Sequence, residues 1–266
     1  MQKALILCKA YSDGENISGD GIYTAAALSK LGVSTSAAAK ISAQNSAVIR
    51  EFLQKNGVDD SLIIDNENDD FAFSCEDFDA VFITGEFILT DKKSFSLAKK
   101  LCEECKKLEI PVVFDPGKFT GAENTDIIND LAVSAEVFVP AADDAKALCG
   151  LSEPEEIADK YISLGVNKIV VTLGKAGAFY KSHVENGAAP TFRADKVVDL
   201  TGAGDAFDAG LISGVIEKIP LGEAVVRANA CGCCAIQHSG FRFPSMQELR
   251  EYMLTHRFVV DGCKDY

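Results

Sequence analysis

The sequence predicts an α/β fold in which a central, mostly parallel sheet carries helices on both faces. Three observations predict it. Short β-rich runs alternate with amphipathic helical patterns along the chain, the order that builds βαβ units. Hydrophobic residues make up 47% of 266 residues, enough for a sizeable core. Polar or glycine residues follow several strand runs, at Gly85-Glu86, Asp115-Pro116-Gly117 and Thr172-Leu173-Gly174. Open parallel sheets bind ligands beyond the carboxyl ends of their strands. No internal repeat or long linker marks a boundary, so a single domain over residues 1–266 is expected.

The expected strands, in order, are Ala4–Cys8, Val33–Ala38, Ala80–Thr84, Pro111–Asp115, Val137–Pro140 and Lys168–Leu173. The helical patterns between them are Ile22–Leu31, Asn45–Asn56, Lys92–Leu108, Ala141–Leu148 and Glu155–Leu164. Ala176–Lys181 is expected to turn back as an edge hairpin strand. The C-terminal third reads as helical at Ala203–Glu217, Leu221–Gln237 and Ser245–Thr255. Residues 65–79, with Asp65, Glu67, Asp69, Asp70, Glu76, Asp77 and Asp79, read as a solvated acidic linker.

The net charge of −14 repels phosphate backbones and argues against a nucleic-acid partner. Any phosphate-bearing ligand must meet a local pocket that overrides this field. Met1–Cys8 reads as a first buried strand and not as a signal segment. No apolar run reaches the roughly 18 residues that span a bilayer. The expected location is the cytosol, with no membrane partner. Nine cysteines are scattered along the chain. Cys102-x-x-Cys105 and Cys231-x-Cys233-Cys234 sit in helical patterns with no histidine at ligand spacing, so reduced structural thiols are expected there.

Residues 199–210 carry the chemistry. Gly202-Ala203-Gly204 precedes a long helix that starts near Asp205. Small residues let backbone N–H groups approach a ligand closely, and a helix N-terminus adds unpaired donors and partial positive charge. Together they form a cradle for the charge that develops in phosphoryl transfer. Asp205 beside it can accept the proton of an attacking hydroxyl. A helix N-cap is the alternative role for that carboxylate. The P-loop string is absent, which excludes that type of nucleotide site.

Thr201-Gly202-Ala203-Gly204-Asp205-Ala206-Phe207-Asp208-Ala209-Gly210 resembles the C-terminal signature of the ribokinase, or PfkB-type, small-molecule kinases. Ile169–Ala178 resembles the family's nucleotide-side strand and turn. Ala228-Asn229-Ala230 and the run to Gly240 resemble the helix and loop beside the adenine. Ser18-Gly19-Asp20-Gly21, followed by a helix and Leu31-Gly32, resembles the N-terminal glycine motif. The resemblance implies a ribokinase-like three-layer sandwich that transfers phosphate from ATP to a hydroxyl of a carbohydrate or nucleoside-like compound. Asp205 would be the base, and Gly202, Ala203 and Gly204 the anion hole. Thr172, Gly174, Gly177, Asn229 and Gly240 would line the ATP site. Asp199 and Thr201, with the loop near Gly240 and Ser245, resemble the place where many members hold a monovalent cation such as K+. Asp13, Asp20, Tyr23 and Glu86 are the candidates for contacting the acceptor.

The chain departs from the family pattern at four points. Ala141-Ala142-Asp143-Asp144 stands where the family has Asn-x-x-Glu, which organises Mg2+; Asp144 could keep the acidic half. Tyr23 replaces an acceptor-gripping Asn, Asp20 stands where ribokinase has Lys, and Gly117 replaces the Asn of an Asp-Pro-Asn segment. A dozen residues separate Cys8 from Gly21, too few for the sugar kinases' four-stranded lid, so the lid is expected to be vestigial or absent. With it a lid-mediated dimer is unavailable, and monomer and homodimer both stay open. Phe241, Phe243 and the tail Arg257–Val260 could pack at another interface or close the core. Two other readings follow from these departures: a binding or regulatory protein with impaired turnover, and a vitamin-precursor kinase acting on hydroxymethylpyrimidine or pyridoxal.

Overall fold

The computed structural model describes residues 2–14, 16–66, 69–118 and 124–259. In chain order, β1 (Lys3–Leu7) leads into a ribbon of β2 (Tyr11–Ser12) and β3 (Ile17–Ser18), then α1 (Ile22–Lys30) and β4 (Ser34–Lys40). α2 (Ala43–Lys55), β5 (Ile63–Ile64), β6 (Ala80–Thr84), α3 (Gly85–Ile88), α4 (Lys92–Lys107) and β7 (Val112–Asp115) follow. Next come α5 (Thr125–Ser134), β8 (Val137–Phe138), α6 (Ala142–Cys149), α7 (Pro154–Ser163) and β9 (Lys168–Thr172). The chain continues through β10 (Ala178–Ser182), β11 (Asn186–Ala189), α8 (Ala203–Ile216), α9 (Leu221–Ala235) and α10 (Met246–Thr255).

Among the described residues the main sheet has nine strands, ordered β11-β10-β9-β8-β7-β6-β1-β4-β5. It is parallel from β9 through β5, and β10 and β11 run antiparallel. The sheet is buried on both faces. In β1, Ala4 and Ile6 enter one core and Leu5 and Leu7 the other, as the two-residue side-chain period requires. The first core is roofed by α1, α2, α8, α9 and α10, and the second by α3 to α7. The mostly parallel three-layer sandwich expected from the sequence is the observed architecture.

Local signals set the helix ends. The Asp91 carboxylate caps α4 by accepting from the Ser94 N–H at 2.7 Å. Ser245 and Glu248 form a reciprocal capping box at α10. Beyond the short strands β2, β3, β5 and β11 and the one-turn helix α3, which the expectation did not include, the following features bear on it. α5 was not anticipated, because Thr125, Asn129 and Val133 weaken its helical signal. β10 is not the edge strand, since β11 pairs outside it. The tail packs on the core, one of its two expected roles, pairing with residues 191–193 and setting Phe258 against Phe192; Val260 lies outside the described residues. The acidic stretch 65–79 is more than a linker. Phe71, Phe73 and Phe78 pack onto the second core, and Phe71 sits 6.0 Å from Phe87. Glu67 of that stretch is outside the described residues.

Cys75, Cys102 and Cys105 face the second core, and Cys231 and Cys233 the first. Burial pushes the Cys102 thiol up to about 12, which keeps it protonated and unreactive. No helix among the described residues is long and apolar enough to cross a membrane.

Candidate active site

The strand order brings the N-termini of α1, α3 and α8 to one end of the sheet. Gly202 takes a left-handed φ of 78° as the residue that caps α8, and the backbone there lies against Phe241 and Phe243. The Ala203 N–H folds back to the Leu200 carbonyl at 3.3 Å. The N–H groups of Gly202 and Gly204 head the helix with no backbone acceptor among the described residues. A Cβ at Gly204 would meet nothing within 4 Å, so the cradle opens outward.

Asp205 does not cap α8, which starts two residues before it. The Thr24 N–H and hydroxyl both donate to Asp205 Oδ1, at 3.1 and 3.0 Å. Thr24 is buried in α1, so it clamps one carboxylate oxygen. Burial raises the Asp205 pKa, and the Thr24 bonds oppose that rise. A carboxylate of raised basicity beside a helix-head cradle is suited to taking a hydroxyl proton.

A second group of carboxyls flanks Asp205. Gly21, at φ 88°, caps α1 where a side chain would strike Thr84 and Cys8. This brings the preceding Asp20 to Glu86 in the first turn of α3. Glu86 Oε2 accepts the Asp20 N–H at 2.9 Å. The Asp20 carboxylate occupies the space that a Cβ at Gly117 would need. The departures at 20 and 117 are therefore complementary. Burial, with Glu86 and Asp205 next, pushes Asp20 up to about 6, and Lys118 opposes them. Below lies Asp115, at the end of β7, whose Oδ1 accepts the Gly117 N–H at 2.8 Å. Asp115 is hydrogen-bonded to the buried Asp208. Burial raises both, and the charge of Asp115 adds to the rise at Asp208, so the pair favours a shared proton.

The Tyr23 ring is buried, stacked on Phe241 at 3.3 Å and edge-on to Phe52 at 5.3 Å. Its hydroxyl donates to the Ile17 carbonyl of the β2–β3 ribbon. Asp13 sits in the turn of that ribbon and accepts the Asn16 N–H at 3.1 Å.

The remaining candidates lie toward β9 and α9. Thr172 ends β9 and bridges to Ala141. Gly174 opens a 3-10 turn there, and a side chain at Gly177 would strike the backbone at Ala189. Asn229 is buried, and its amide donates to the Ala189 and Pro190 carbonyls at 2.9 and 3.3 Å. It braces α9 against β11. Asp199 accepts from the Thr201 N–H at 2.9 Å and the Gly240 N–H at 3.2 Å, which lowers its pKa. The two loops expected to meet there do meet, although the Ser245 hydroxyl is used in the α10 cap. Asp144 stands in the first turn of α6, and its charge acts on Asp20.

Sequence reasoning missed Thr24, the Asp115–Asp208 pair and Phe241 as parts of this site. Asp208 had a signal, since it lies one helical turn beyond Asp205. Thr24 had none, because only the packing of α1 on α8 pairs it with Asp205. A cavity of about 710 Å³ lies at the opposite end of the sheet, lined by Pro111, Lys168 and Lys218 among others. It holds none of these groups.

A family model described as pfkB family carbohydrate kinase matches residues 62–248. The 2-dehydro-3-deoxygluconokinase of Bacillus subtilis (strain 168) is 37% identical over 141 residues, 52% of this chain and 44% of that protein. The ATP-dependent 6-phosphofructokinase of Thermoanaerobacterium thermosaccharolyticum is 33% identical over 152 residues, 55% of this chain and 47% of that protein. The chain spans about half the length of these curated relatives. The crystal structure of aminoimidazole riboside kinase from Salmonella enterica, complexed with aminoimidazole riboside and an ATP analog, superposes with a TM-score of 0.76. It is 21% identical and covers 95% of this chain and 99% of that one.

Proposed function

We propose, from the premise that the chain belongs to the pfkB family of carbohydrate kinases, that it transfers the γ-phosphoryl group of ATP to a hydroxyl of a small polyhydroxylated molecule. One observation carries this reading: Asp205 is held by Thr24 beside an outward-opening helix head. The acceptor oxygen attacks the γ-phosphorus while its proton passes to Asp205. The bond from that phosphorus to the β–γ bridging oxygen breaks, and ADP leaves with the electron pair. The Gly202 and Gly204 N–H groups stabilise charge on the phosphoryl in flight. One such donor is worth about 3 kcal/mol in other enzymes.

ATP would lie across the β9–β10 turn and the loops around Gly240. Asp144 is the residue that would hold Mg2+, which neutralises phosphate charge when bound. A single carboxylate fits an ion that keeps water and phosphate oxygens in its octahedral shell. Asp199 and Thr201 tie the loop where K+ would sit. The short β2–β3 ribbon is the remnant of a lid, and Tyr23 anchors that ribbon instead of gripping the acceptor. The whole chain works as one domain.

The reading is tested by following ADP release against a panel of sugars, ribosides and vitamin precursors, with wild type and Asp205→Asn. Acceptor-dependent turnover that the substitution removes supports it. Tight binding of ATP or a sugar without any turnover would favour a binding protein instead.

A further inference from the structure

The charge of the acceptor end points to what the site takes, and this rests on the kinase reading above. The site itself stands on Asp205, its cradle and the family; the flanking carboxyls set the charge it accepts. Asp20 and Glu86 form one wall, joined through the Asp20 N–H. The Asp20 carboxylate lies over Gly117, directly above Asp115 and its partner Asp208. Asp205 closes the group from α8. Glu86 and Asp205 are like charges acting on Asp20, and Lys118 opposes them. A cation entering this group relieves mutual repulsion, and an anion adds to it.

We infer that the acceptor is a polyhydroxylated molecule carrying a cationic nitrogen, such as an aminated sugar or riboside, and not a sugar acid or sugar phosphate. The names of the matched curated relatives include a sugar-acid kinase and a sugar-phosphate kinase, so the inference separates this chain from them.

The test compares matched acceptors at fixed ATP: glucosamine, glucose and gluconate, then galactosamine, galactose and galactonate. ADP release gives kcat/KM, and thermal shift with an ATP analogue reads binding in parallel. The aminated member of at least one series should exceed its neutral counterpart by about tenfold, and the anionic one by more. Asp20→Asn should bring the aminated-to-neutral ratio down severalfold, with Glu86→Gln as the second variant should the first not fold. Asp205-dependent turnover that favours an anionic acceptor would overturn the inference and leave the kinase reading standing. Selective stabilisation by the aminated member with no turnover would uphold the inference and overturn the kinase reading. Neither turnover nor selective binding would overturn the inference, as would ratios unchanged in both variants.

Discussion

Thr24 Oγ1 and Asp205 Oδ1 lie 3.0 Å apart and join the first turns of α1 and α8 across 181 positions of sequence. The bond fixes which oxygen of Asp205 remains for a hydroxyl proton. Thr24→Val removes the side-chain donor and keeps the shape. It should lower kcat by about tenfold, the worth of one hydrogen bond to a charged group. Because that bond opposes the rise in the Asp205 pKa, the acidic limb of the pH–rate profile should move to higher pH. Thr24→Ser should restore both.

Asp208 and Asp115 share a proton that the unfolded chain releases at lower pH. Burial holds both folded pKa values above the ordinary 3.8. Folded protein therefore binds more protons than unfolded protein between those values, and the pair's contribution to stability falls as pH rises through that window. Asp208→Asn keeps a donor for Asp115 and removes the titration. Its melting temperature relative to wild type should rise from pH 4 to pH 8, by the equivalent of about 1–2 kcal/mol. An unchanged difference across that range would contradict the shared proton.

Much of this is legible in the sequence. Strand–helix alternation placed β1, β4, β6, β7 and β9, because apolar periodicity is a local signal. The loop at 199–210 singles out Asp205 as the candidate base because its glycines and its helix are contiguous in sequence. What stayed hidden is contact between distant segments. Nothing near Gly117 announces that Asp20 fills its missing side chain, and nothing near Tyr23 announces Phe241. Nothing near Asn229, a candidate to line the ATP site, announces that its amide is bound to β11 and the residue after it. The two-residue strands β2, β3 and β5 are too short to carry a period.

Gly117→Ala should act through Asp20. The new methyl overlaps the Asp20 carboxylate, and the residue's φ of 63° disfavours a side chain. Stability should drop by about 1 kcal/mol, and the KM for the acceptor should rise severalfold while the KM for ATP holds. In an Asp20→Asn background the further loss should shrink, because the two changes disturb one contact.

Tyr23 ties α1 to the ribbon through its hydroxyl and the Ile17 carbonyl. Tyr23→Phe keeps the stack on Phe241 and removes that tether. Amide exchange across Tyr11–Ser18 should quicken by about tenfold, the loss of roughly one hydrogen bond, with little change in α1.

The central claim is that Asp205 accepts the proton during phosphoryl transfer. It is tested most directly by mass spectrometry of the acceptor after incubation with ATP, for wild type and Asp205→Asn at equal nucleotide occupancy. The account predicts one phosphorylated acceptor per ADP formed by wild type, and a rate lower by at least about a hundredfold in the variant, the lower bound for losing a positioned base. Phosphorylation by Asp205→Asn at the wild-type rate would contradict it.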